Sequence, residues 1–155
     1  MWGAAPLAAA QDKLLIGLGG VELFLPGAAE CGMMEFRSGH SIGRFRPIAG
    51  FLIDGRSDKY FYAGLAYPWL RGERWRLWIS FSVGGLRQGE GRIIGGPLEF
   101  NTTVRLEHRI GKTLRGGLAF SHISNAGIYK KNPGMEVSTV FLTLPLGGSG
   151  FAKSD

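Results

Sequence analysis

Between Leu98 and Ile110 the chain alternates by twos. Leu98, Phe100, Thr102, Val104, Leu106 and Ile110 fall on one side of an extended strand, and Glu99, Asn101, Thr103, Arg105, Glu107 and Arg109 on the other. Successive strand side chains point to opposite faces, so this segment has one face for hydrocarbon or a core and one for polar company. The period returns in Trp75, Leu77, Ile79, Phe81 and Val83 against Arg76, Ser80, Ser82 and Gly84, with Trp78 interrupting the polar side. No stretch sustains an apolar period of 3.6 residues, so the chain reads as all-β.

Eight such segments are predicted: Leu14 to Phe24, Glu30 to Arg37, Phe45 to Ile53, Lys59 to Tyr67, Arg74 to Leu86, Leu98 to Ile110, Leu114 to Ile123 and Met135 to Leu146. Between them stand turn formers, among them Pro26-Gly27, Asp54-Gly55, Gly95-Gly96-Pro97 and Asn132-Pro133-Gly134. The longer segments reach the roughly 9 to 11 residues that a tilted transmembrane strand needs, against about 5 or 6 for an average soluble strand. Aromatic residues near segment ends, Phe45, Tyr60, Tyr67, Trp69 and Trp75, are placed as an interfacial girdle would be. The expected fold is an eight-stranded antiparallel up-and-down transmembrane β-barrel. Alternation alone leaves open a soluble barrel with the two faces exchanged.

At 155 residues the chain fits one domain. We expect residues 13–146 to form it, residues 1–12 to be a leader remnant or disordered N-terminus, and residues 147–155 to be a flexible tail. The apolar start ending in Ala8-Ala9-Ala10 resembles the end of a secretory signal peptide whose charged beginning is missing or truncated. A lone cysteine, Cys31, rules out an internal disulfide and a cysteine-based zinc site. The formal charge of +6 points to polyanionic partners. No nucleic-acid module motif accompanies it, so a phosphate-bearing membrane surface is the better candidate and nucleic acid is not expected.

Chemistry concentrates near the C-terminus, in Phe120-Ser121-His122-Ile123-Ser124-Asn125-Ala126-Gly127 followed by Asn132-Pro133-Gly134-Met135-Glu136. Residues two apart on a strand share a face roughly 6.5 to 7 Å apart, so the His122 imidazole can lean toward the Ser124 hydroxyl. Glu136 opens the next segment, which pairs back on the first and carries a carboxylate beside the imidazole. Nucleophile, general base and orienting acid are the parts of a serine esterase, and the scheme calls for no metal and no cofactor. All three share the apolar side of their segments, with Leu118 and Phe120 on one and Val140, Leu142 and Leu144 on the other. Burying such groups unpaired in a soluble core costs roughly 1 to 3 kcal/mol each, whereas on a barrel rim they would face lipid. His40 and His108 have no such partners and read as structural.

The run from His122 to Glu136 resembles the signature of the lipid A 3-O-deacylase family (PagL type, acyloxyacyl hydrolase-like): His-x-Ser-Asn-Ala-Gly, with a Glu twelve residues after the Ser. The likeness extends more loosely through Gly95 to Phe100 and through Leu144-Pro145-Leu146. It implies an outer-membrane barrel that hydrolyses the ester-linked 3-O-acyl chain of lipid A, with Ser124 as nucleophile, His122 as base and Glu136 as its partner. Asn125, Ala126 and Gly127 would shape the oxyanion hole, and Asn132 would be a further polar group at the substrate. The implied partners are lipid A, as lipopolysaccharide, and outer-membrane lipids, with a homodimer left open. Lys130 and Lys131, and elsewhere Arg37, Arg44, Arg87 and Arg92, are candidate contacts for lipid phosphates. The alternative is a non-catalytic outer-membrane barrel with a structural or adhesion role.

Overall fold

The computed structural model describes residues 11–91 and 93–147. The apolar start up to Ala10, the tail beyond Gly147 and Arg92 therefore lie outside the described residues. Eight strands follow one another: β1 (Lys13–Val21), β2 (Ala29–Arg37), β3 (Arg46–Asp54), β4 (Lys59–Arg71), β5 (Trp75–Arg87), β6 (Leu98–Arg109), β7 (Arg115–Ser124) and β8 (Met135–Pro145). Each pairs antiparallel with the next, and β8 pairs with β1, giving the closed barrel expected from the alternation. Closure leaves no strand edge unpaired, the condition a sheet must meet to cross hydrocarbon. Asp12 ties the seam at one end: its carboxylate accepts the Gly39 N–H at 2.6 Å and its carbonyl accepts the Leu146 N–H at 2.8 Å.

Two strand ends depart from the sequence reading by more than one residue. β1 stops at Val21 rather than Phe24, because Glu22 turns into the left-handed region with φ of 53°. β4 runs on to Arg71, since a bulge between Pro68 and Leu70 lets the strand pass the proline and resume its pairing with β5.

The faces point as a membrane requires. Every strand sends large apolar side chains outward, including Leu18, Met34, Ile53, Phe61, Phe81, Val104, Leu118 and Val140, the last two 61% and 63% exposed. The polar set lies in the lumen, where Glu35, Arg37, Glu99, Arg105 and Glu107 are all at most 2% exposed. A soluble barrel would reverse this arrangement, and that alternative is overturned.

The lumen is filled by matched charges rather than by an apolar core alone. Arg105 pairs with the Glu35 carboxylate, which also accepts the Tyr62 hydroxyl at 2.9 Å, and donates to Ser80 Oγ at 3.1 Å. Glu107 accepts from Arg37 at 2.9 Å and from the Trp78 indole N–H at 3.1 Å, while the Arg37 guanidinium stacks 4.1 Å from the Trp78 ring centroid. Trp78 thus interrupts the polar face of β5 as a hydrogen-bonding member of that network. Two expectations are corrected here. Arg37 is committed to lumenal partners and does not face lipid phosphates. Tyr60 is fully buried, donating to the Glu99 carbonyl at 3.0 Å, so it takes no part in the girdle. Phe45, Tyr67 and Trp69 do cluster, with ring centroids 5.4 and 6.3 Å apart, and Trp75 packs on His108 at 4.3 Å.

Candidate active site

The connections β1–β2, β3–β4, β5–β6 and β7–β8 share one rim, and the chemistry-bearing residues lie there on β7, β8 and their loop. The register sets His122 directly opposite Glu136. Both side chains point outward, on the wall formed by Leu118, Phe120, Val140 and Leu142, and are about half exposed. Nδ1 of His122 is 2.7 Å from Oε1 of Glu136. An ionised carboxylate only accepts, so Nδ1 carries the proton and Nε2 is left with its lone pair to take another. The second Glu136 oxygen, Oε2, is buried with no hydrogen-bond partner among the described residues. Among the described residues, the imidazole is the one hydrogen-bond partner that orients the carboxylate.

Ser124 sits two positions further along β7 on the same outward face, opposite Phe100 of β6. Its hydroxyl makes no hydrogen bond among the described residues. The structure thus brings His122 and Glu136 into contact and holds Ser124 beside them without closing the serine–histidine bond.

The loop after Ser124 is stapled by Asn125, which is fully buried. Its side-chain amide donates to the carbonyls of Ile94 and Lys131, both at 2.8 Å, and its oxygen accepts the Gly127 N–H at 3.0 Å. Asn132, exposed on the same loop, bonds back to it, its Oδ1 accepting the Asn125 backbone N–H at 3.1 Å. Of the three amides the resemblance assigned to an oxyanion, those of Asn125 and Gly127 are occupied within the loop. The Ala126 N–H makes no hydrogen bond among the described residues. Ala126 and Gly127 are both left-handed, with φ of 53° and 83°.

Asn125→Asp keeps the shape but cannot donate to two carbonyls, and it sets a buried carboxylate against them. The variant should lose about 1 to 3 kcal/mol of stability, read as a lower urea midpoint of the folded barrel.

Gly134 is a residue the sequence reading passed over as part of a turn. Its φ is 70°, and a Cβ placed there would stand 2.8 Å from Cε1 and 3.4 Å from Nε2 of His122. The missing side chain lets the loop backbone press against the edge of the imidazole, and the Asn-Pro-Gly sequence was the only signal of it. Gly134→Ala should push the ring aside and lower any turnover at this site about 100-fold while the barrel still folds. Esterase kinetics on the folded variant check this.

The family model for lipid A 3-O-deacylase (PagL) matches residues 51–145, which take in β4 to β8 and every residue of this site. The chain belongs to the lipid A 3-O-deacylase family. That family consists of carboxylic ester hydrolases of the outer membrane, so the barrel is an outer-membrane protein of an enzyme family. No curated protein matches the chain. Among solved structures it is similar to the outer-membrane enzyme PagL, with 14% identity, a TM-score of 0.67, and 86% of this chain and 99% of that one covered. It also resembles Neisserial surface protein A, with 7% identity, a TM-score of 0.57, and 90% and 98% covered. Ail of Yersinia pestis follows, with 11% identity, a TM-score of 0.54, and 87% and 99% covered. At such identities these likenesses speak for the barrel and not for its chemistry. In this deacylase-family barrel Lys130 and Lys131 are exposed on the β7–β8 loop, beside the site. Arg44 instead hydrogen-bonds the Tyr67 hydroxyl at 3.4 Å near the opposite rim.

Proposed function

We propose that this barrel removes the ester-linked 3-O-acyl chain of lipid A through Ser124, His122 and Glu136. The observation that carries the reading is the 2.7 Å contact between His122 and Glu136 on the lipid-facing wall, with a serine two residues along the same face. The substrate lies in the bilayer, and a site on the barrel's outer wall can take it sideways without lifting its acyl chains into water.

Nε2 of His122 accepts the Ser124 proton as Oγ attacks the ester carbonyl. The Ser124–His122 hydrogen bond forms as substrate settles, because catalytic contacts in unliganded enzymes are often long and tighten on binding. Of the amides of Asn125, Ala126 and Gly127, that of Ala126 is the one without a partner among the described residues, and it serves the oxyanion. When the tetrahedral intermediate collapses, the bond to the sugar oxygen breaks, and that oxygen takes the proton from His122. Water, deprotonated by the same imidazole, then releases the fatty acid and restores the serine. Lys130 and Lys131 stand where they would meet the phosphates of a lipid held at the rim.

Expression of the full chain behind a secretion leader in a Gram-negative host tests the reading. The lipid A mass spectrum should show a new species lighter by one 3-hydroxyacyl chain. Unchanged lipid A alongside a folded, membrane-inserted barrel would reject the activity and leave a passive structural or adhesive barrel.

A further inference from the structure

We propose that the end of the lumen opposite the candidate active site binds a soluble phosphorylated anion. A cavity of about 690 Å³ opens there, lined by eight Lys and Arg residues and only two acids, Glu73 and Glu107. Its volume falls within the range of small-molecule sites.

The register explains why this excess is unusual. Three lumen-side pairs of directly opposed residues are both cationic: Lys13 with Arg37, Arg71 with Arg76, and Arg109 with Arg115. Like charges directly opposite on one face of a sheet repel and destabilise it. Deeper in the lumen each cation faces a carboxylate, as Arg105 faces Glu35. At this end the two acids are already engaged, Glu107 by Arg37 and Trp78, and Glu73 by Arg109 at 3.1 Å. The side chains of Lys13, Arg71, Arg76 and Lys112 make no hydrogen bond or ion pair among the described residues. At the cavity's inner end Arg37, 2% exposed, has two donors, Nε and Nη2, with no hydrogen-bond acceptor among the described residues, Nη2 standing 3.9 Å from a Glu35 oxygen. Unpaired positive charge and a cavity coincide, and a phosphoryl group supplies the missing anion.

A phosphoryl group could come from a solute or from a lipid headgroup. All of the cations but Lys112 occupy lumenal strand positions, inside the ring of strands, while acyl chains must stay on the outer wall. That favours the solute. This inference does not depend on the esterase reading, because no residue of the cavity belongs to the site on β7 and β8.

Calorimetric titration of the full chain, folded in neutral maltoside micelles at low ionic strength, with inorganic pyrophosphate tests it. Saturable one-to-one binding is expected, weakening as salt is raised. Arg71→Gln/Arg76→Gln should weaken it about ten-fold or more, with folding checked by the heat-dependent gel shift. Lys130→Gln/Lys131→Gln, on the other rim, should leave it unchanged. Lys112→Gln, in an exposed turn, gives a smaller loss of about two- to three-fold and serves if the double variant does not fold. Absence of saturable binding, or binding indifferent to both the double variant and Lys112→Gln, overturns the proposal. So does a phosphatidylglycerol molecule retained in native mass spectra after release from phosphatidylglycerol nanodiscs and lost in the double variant, since the ligand would then be a headgroup.

Discussion

Lipid A from cells producing the Ser124→Ala barrel should keep its full set of acyl chains, with deacylation lowered roughly 10⁴- to 10⁶-fold. Removing the hydroxyl leaves His122 and Glu136 in contact but with no atom to activate. Glu136→Gln is the sharper probe, because it changes one atom and leaves the space filled. The carboxylate obliges Nδ1 of His122 to carry the proton. A glutamine amide can donate instead, which reverses the tautomer and puts the proton on Nε2, where the base must be free. A loss of about 10³- to 10⁴-fold in kcat is expected, with KM little changed. Residues acting as one unit are not additive, so the double variant should be no slower than Ser124→Ala. A Glu136→Gln enzyme with nearly full turnover would detach the carboxylate from the chemistry and dissolve the proposed triad.

The second large effect concerns the barrel itself. Arg105→Met should lower the unfolding free energy by about 3 to 5 kcal/mol, read from urea titration of the folded protein. Arg105 is nearly fully buried, and its removal strips Glu35 of its closest cation and Ser80 of a donor. Glu35 would keep only the Tyr62 hydroxyl and Arg37, whose Nη2 is 3.9 Å from Oε1. Arg105→Met/Glu35→Gln removes the stranded charge along with its partner and should recover most of the loss. Wild-type stability in the single variant would mean that the lumenal network does not hold the barrel.

The strands were legible because alternation and turn residues state the same division of the chain, as Leu98 to Ile110 shows most plainly. Alternation could not say which face met lipid. That depends on whether Arg105 and Glu107 find each other's counterparts across the lumen, and a single strand does not contain its partners. Arg37 was misread as a lipid contact for this reason, since only its pairing with Glu107 and its stacking on Trp78 turn it inward. Tyr60 had the right neighbourhood for a girdle but the wrong parity.

For the candidate site, the His-x-Ser spacing and the hairpin sufficed to anticipate the His122–Glu136 contact. The loop was read less well. The resemblance places Asn125 and Asn132 at the substrate, yet their side chains bond loop backbone, of their own loop and at Ile94 of the neighbouring one, and Gly134 is informative only once its distance to the imidazole is known. The three opposed cation pairs depend on register as well, which no inspection of isolated segments reveals.

A cylinder whose bore is closed by Arg105, Glu35, Tyr62, Arg37, Glu107 and Trp78 behaves as a rivet through the bilayer. Reconstituted into a planar lipid film it should pass no measurable current, and a cell could carry many copies without leaking nutrients or admitting antibiotics. A barrel whose proposed site lies on its flank has no use for a passage, so the interior is free to be made of whatever fastens the staves together.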